Sequence, residues 1–307
     1  MNVDIKQYLS ENEIKQACIE AVKEHTKSKL GVNDSALATK IAFQVVKKEQ
    51  QKYILNYSDT INDKIVEAII YCINGICYRS IGESAYALFY HLKSNDIIEY
   101  NDLFSNVELM NIYQIGEIYA SSGDTKEAKK FFLKSINSTL STNSTESIKF
   151  RSLSGLSNIF ISEGKLKEAK NYLDKQEGYS KGNYVNQSRF YSDKALYYYS
   201  LQEYSQAIIF ENKSLIIRES ENRSDAMATC YISLGKSYLA ISDYEKALEY
   251  SIIGLKICIE NKTKNKTLSC HKLLSDIYKT IGNKELAFSH LEQYVTLTNE
   301  LIIEQRK

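Results

Sequence analysis

One pattern constrains this chain more than any other: a small residue, an aromatic three positions later, and an alanine twelve positions after the small one. It occurs at Gly75, Tyr78 and Ala87, at Gly116, Tyr119 and Ala128, and at Ser157, Phe160 and Ala169. It returns at Ala195, Tyr198 and Ala207, at Gly235, Tyr238 and Ala247, and at Ser275, Tyr278 and Ala287. A spacing of three puts the small residue and the aromatic on one face of a helix. The alanine follows a run of turn residues and so belongs to a second helix folded back on the first. Where two helices cross, a hydrogen or a methyl lets the backbones approach, and large residues on the same stripe fill the space beside the crossing. The unit is a helical hairpin, repeated six times.

Composition agrees. The 307 residues include no proline and only 12 glycines, where average usage would give roughly fifteen prolines. Polyproline linkers are excluded, and a sandwich with a turn every ten residues lacks its turn residues. The charges, 39 basic against 38 acidic, argue against a nucleic-acid-binding chain. The N-terminus, MNVDIKQYLSENEIKQ, is too polar for a secretory signal, and the longest apolar cluster, Ile69 to Tyr78, is too short to span a bilayer. Cys18, Cys72, Cys77, Cys230, Cys258 and Cys270 form no Cys-x-x-Cys pair. They argue against zinc and read as reduced core residues of a cytoplasmic protein.

The segment Cys230 to Ile257 carries the fuller pattern Tyr231, Leu234-Gly235, Tyr238 and Ala247, which resembles the tetratricopeptide repeat. The resemblance covers about residues 63–300. It implies an all-α, right-handed superhelical solenoid of antiparallel helix pairs, helix A then helix B, with six repeats in 63–307. The small residues are 38 to 41 apart, against a usual period of 34. The surplus is expected mostly in polar connections after helix B, at Ile136 to Ser147, Glu177 to Ser188 and Glu260 to Thr267. These would end the B helices in place of the family's usual proline. The A-to-B turns, such as SSGDTKEA and AISDYEKA, read as tight.

Residues 1–62 form a separate helical extension. Ser10 to Glu13 is a capping box opening a helix to about Lys29, and a second helix runs from Asp34 or Ser35 to Tyr57. Residues 28–43 faintly resemble a helix-turn-helix. Lys27 stands where that motif needs a small residue, which favours a capping hairpin over a DNA-binding role.

In tetratricopeptide arrays helix A lines a concave groove that holds peptides. Carried over by position, the resemblance implies groove residues Tyr113, Glu117, Arg151, Asn158, Arg189, Tyr199, Lys236 and Lys272. The groove changes from apolar to basic along the chain, which suits an extended peptide with one apolar and one acidic portion. Asn158 is either a backbone-binding amide or an ordinary solvated residue. Arg151 and Arg189 either fork onto a ligand carboxylate or pair with Asp193 or Glu117. The carboxylate clamp of chaperone-binding relatives is absent, because Cys72 and Ile76 hold its Lys and Asn positions.

Nothing marks an enzyme. His25, His91, His271 and His290 have no metal spacing, no Gly-x-Ser-x-Gly elbow occurs, and no cofactor motif is present. The tyrosines fall mostly at repeat positions 4, 11 and 23 and read as core. The final helix keeps Leu291, Tyr294, Val295, Leu301, Ile302 and Ile303. Leu301, Ile302 and Ile303 are a candidate homodimer surface, unless the helix folds back or the chain is a fragment of a larger sensor. The period and the N-terminal extension also resemble bacterial quorum-sensing peptide receptors that act on transcription or on a response regulator. The leading expectation is a non-catalytic scaffold for a peptide or protein tail.

Overall fold

A computed structural model describes residues 63–80, 83–100, 106–138 and 143–305. The expected N-terminal helices, and residues 28–43 with them, lie outside these. Among the described residues every regular element is an α-helix. In chain order they are α1 (Asp63–Ser80), α2 (Ser84–Tyr100), α3 (Asn106–Ser121), α4 (Thr125–Ile136), α5 (Asn143–Ser162) and α6 (Leu166–Ser180). Then come α7 (Tyr184–Ser200), α8 (Tyr204–Ser220), α9 (Ser224–Ala240), α10 (Tyr244–Glu260), α11 (Lys264–Thr280) and α12 (Lys284–Gln305). Odd-numbered helices are the A helices and even-numbered ones the B helices of the six hairpins. The chain divides into two compact units, Met1–Leu140 and Ser141–Lys307.

The crossing residues explain why these sequences pair. Ala87, Ala128, Ala169, Ala207 and Ala247 are at most 1% exposed, and Ala287 is also buried. Opposite them Ser157, Ala195 and Ser275 are buried, as are Gly75, Gly116 and Gly235. A Cβ on Gly116 would stand 2.8 Å from the Phe132 ring, so a hydrogen is what the crossing admits. Beside each crossing two rings stack. They are Tyr78 on Tyr90, Tyr119 on Phe131, Phe160 on Tyr172, Tyr198 on Phe210 and Tyr238 on Tyr250, with centroids 5.1 to 5.7 Å apart. The clasp tyrosines are half-buried, so the expected tyrosine core is a partly exposed stack beside each crossing.

The connections correct the sequence expectation. From α7 onward A and B helices alike run to 17 residues up to α11, joined by three-residue links at 201–203, 221–223, 241–243, 261–263 and 281–283. The surplus over a 34-residue repeat therefore lengthens helices. Glu177 to Ser180 ends α6, Tyr184 to Ser188 opens α7, and Glu260 and Lys264 to Thr267 are helical. In the first run, α4 ends at Ile136 and α5 begins at Asn143. The reason is the turn chemistry. The middle residue of each link is left-handed: Gln202, Asn222, Ser242, Lys262 and Gly282, with φ from 52° to 86°. The residue after it then donates back to the helix end, as in Asp243 N–H to Tyr238 O and Thr263 N–H to Cys258 O, both 2.9 Å. One left-handed residue suffices to stop a helix, so neither proline nor a polar loop is needed. Asn183 and Asn283 instead cap the next helix start, accepting from the N–H of Asn186 and Leu286.

Candidate functional site

In the second unit consecutive A helices touch: α5 meets α7, α7 meets α9, and α9 meets α11. Consecutive B helices make no such contact. The A helices thus form the closer-packed layer, and the surface they share is the candidate site.

The two candidates in the first unit are internal. Tyr113 is 3% exposed and lies against the Phe132 ring, so it is core and faces no ligand. Glu117 is half-buried and accepts from Arg79 Nη2 at 2.9 Å, and the same guanidinium also bonds Gln114. Arg79, one repeat away, was not anticipated as its partner.

In the second unit Arg189, Lys236 and Lys272 are exposed, and Arg151, Asn158 and Tyr199 are partly so. The Asn158 Oδ1 atom has no hydrogen-bond partner and no accessible surface. Native structures leave few such acceptors unpaired. Tyr199 sets its ring edge-on to Tyr204 at 5.3 Å, and burial pushes its phenol up. Lys272 Nζ lies 3.3 Å from Asp276 Oδ1 on the same helix. Asp193, one expected arginine partner, is buried, and its Oδ2 accepts from Ser154 Oγ at 2.6 Å and Gln176 Nε2 at 2.7 Å.

Beneath this surface runs a polar seam that the sequence reading missed. Glu211 is 2% exposed and accepts from Ser192 Oγ at 2.9 Å. Ser192 also meets Ser214 Oγ at 3.0 Å, and Ser214 donates to Ser188 O. Arg218 Nη1 bridges to the next repeat, donating to Ala226 O at 2.7 Å and Cys230 Sγ at 3.0 Å. Burial raises the Glu211 carboxyl, and it pushes the Cys230 thiol up to about 12, which leaves that sulfur a poor nucleophile. A signal was present in the sequence. Glu211 occupies the slot where Phe132 and Leu173 stand in other repeats. Among the described residues no three His, Cys, Asp or Glu side chains cluster to hold a metal ion, and no helix is long and apolar enough to cross a membrane.

A solenoid of helical hairpins with an alanine at every crossing defines a class of repeat proteins. The tetratricopeptide repeat model matches residues 111–140 and 226–251. These matches fall on the second and fifth of the six hairpins, where the sequence pattern implied such repeats. No curated protein matches it by sequence. Among solved structures, the apo form of RapI has a TM-score of 0.65 at 12% identity, covering 93% of this chain and 98% of that one. The apo form of the quorum sensor NprR from B. thuringiensis gives 0.53 at 14%, covering 96% and 90%. A chain of the APC/C hetero-tetramer Cut9–Hcn1 gives 0.61 at 14%, covering 92% of this chain and 49% of that one. At these identities the likeness is one of fold.

Proposed function

We propose that this chain is a non-catalytic, cytoplasmic binding scaffold whose second-unit A-helix surface holds an extended peptide or partner tail bearing acidic side chains. The observation that carries the reading is the exposure of Arg189, Lys236 and Lys272 on three consecutive A helices, with Asn158 partly exposed on the helix before them. A side-chain amide such as that of Asn158 carries a donor and an acceptor together, the pairing that an extended backbone offers in return. Arg189, Lys236 and Lys272 lie exposed on the following A helices and favour carboxylates there. Fluorescence anisotropy with acidic peptides tests this. Asn158→Ala and Arg189→Ala are expected to weaken binding about tenfold each, in line with loss of about 1.4 kcal/mol, with the melting temperature unchanged. Unchanged affinity in both variants would remove the groove assignment.

The likeness to a quorum sensor favours a second reading, in which the peptide is a signal and the output is transcription or a response regulator. The C-terminal residues add a candidate contact between copies. Ile302 and Ile303 are 41% and 54% exposed, beside the partly buried Leu301. Light scattering is expected to report a dimer that Leu301→Asp dissociates; a monomer at high concentration would refute the contact.

A further inference from the structure

The stacked clasp of the array has one exception. At the B-helix position of the clasp stand Tyr90, Phe131, Tyr172, Phe210 and Tyr250, and in the last repeat His290. Its A-helix neighbour four residues before the small residue is Tyr191 against Phe210 and Tyr231 against Tyr250, with rings about 6 Å apart. In the last repeat that neighbour is His271, and the two imidazoles meet with centroids 5.2 Å apart and Nδ1 atoms 3.0 Å apart. Tyr278 still stacks on His290 at 5.6 Å, so the geometry of the clasp is kept while its chemistry changes. We propose that the His271–His290 contact makes the clasp of the last repeat acid-sensitive: protonation of both rings releases α12 from α11, while the aromatic clasps of the other second-unit repeats hold.

The proton count gives the reason. In the neutral pair one Nδ1–H donates to the bare Nδ1 of the other ring. A first added proton goes to the outer nitrogen of the donor ring and leaves that hydrogen bond in place. A second must go to the accepting Nδ1, and two N–H groups then face each other at 3.0 Å. Nothing nearby offsets the charge. His290 is the charged group that acts on His271, and burial alone acts on His290. On α11, Lys272 and Asp276 pair with each other. The other helices packed on α11 are α9 and α10, whose nearest titratable groups, Lys236 and Cys258, act on Cys270 instead. The last helix packs on α11 alone, so loss of the clasp frees it without disturbing α9 or α10. The mechanism is independent of what the A-helix surface binds.

Hydrogen exchange read by mass spectrometry tests this on the full chain, with labelling times scaled for the intrinsic pH dependence of exchange. Excluding one proton from a group with an ordinary imidazole value is worth on the order of thirtyfold at pH 5.0. Protection of peptides from α12 is therefore expected to fall tenfold or more between pH 7.5 and pH 5.0, with α9 and α10 changing less than threefold. His290→Tyr restores the B-helix ring of the preceding repeat's clasp and removes the facing imidazole, and is expected to hold α12 protection within threefold over the same range. Equal acid loss in wild type and His290→Tyr, or no loss in wild type, would overturn the proposal. Imidazole proton NMR on the unmodified chain gives a second reading: a single midpoint at 6.5 for both rings overturns it, and a second midpoint depressed well below the first supports it.

Discussion

Gly75→Ala offers the sharpest test of the packing logic, because the same change elsewhere in the chain has the opposite sign. A Cβ at residue 75 would lie 2.6 to 2.7 Å from three atoms of the His91 ring. That ring is 0% exposed and is held by Asn111 Oδ1 at 2.9 Å from its Nδ1, so it has no room to withdraw. Overpacking of this kind costs about 1–3 kcal/mol, against a gain of about 1 kcal/mol for alanine over glycine within a helix. A net loss of up to about 2 kcal/mol is expected, and its midpoint of about 1 kcal/mol raises local opening of α1 and α2 by about fivefold. Gly178 lies in α6 with nothing within 4 Å of its ideal Cβ, and there alanine is expected to stabilise by about 0.5–1 kcal/mol. The assay is urea unfolding by circular dichroism, with hydrogen exchange assigning each loss to its helices, since two units need not unfold together. In a His91→Ala background the clash disappears, so Gly75→Ala becomes neutral or stabilising, a coupling of about 2 kcal/mol. A Gly75→Ala variant that is stabilised with His91 intact, or equally destabilised without it, would refute the reasoning.

Two further predictions follow from backbone and charge. Burial lowers the His91 imidazole to about 4, with Arg79 adding to the shift and the Asn111 hydrogen bond opposing it. Its folded value lies below its unfolded value of 6.5, so its stability contribution is complete above pH 6.5 and is lost as the pH falls toward 4. That loss amounts to roughly 3 kcal/mol in the first unit, and His91→Leu is expected to flatten the profile of unfolding against pH. Lys262 holds a left-handed φ of 53° without being glycine. Lys262→Gly is expected to raise stability by about 0.5–1 kcal/mol, read as a higher melting temperature; a fall would show that the link is held by other forces.

Much of the fold could be read from spacing. A stripe of small, aromatic and alanine residues is a local property, set by the 3.6-residue turn, and each crossing forms where that stripe lies. The connections were misread because polar composition is a weaker signal than one residue's φ. Gln202, Asn222, Ser242 and Lys262 end helices through a backbone conformation that their side chains do not announce. The candidate site was less legible. Arg189, Lys236 and Lys272 are exposed and Asn158 partly so, whereas at equivalent positions Tyr113 is buried and Glu117 is half-buried in an ion pair with Arg79.

Position within a repeat, which the sequence determined alone, says which face of a helix a residue is on. Whether the next repeat covers that face depends on contacts between side chains 35 to 41 residues apart, such as Arg79 with Gln114 and Lys266 with Asp225. Each repeat meets its neighbour through different residues, so no period records the result. The buried contact of Ser154 with Asp193 and the bridge from Arg218 to Cys230 were decided there, by how one hairpin packs on the next.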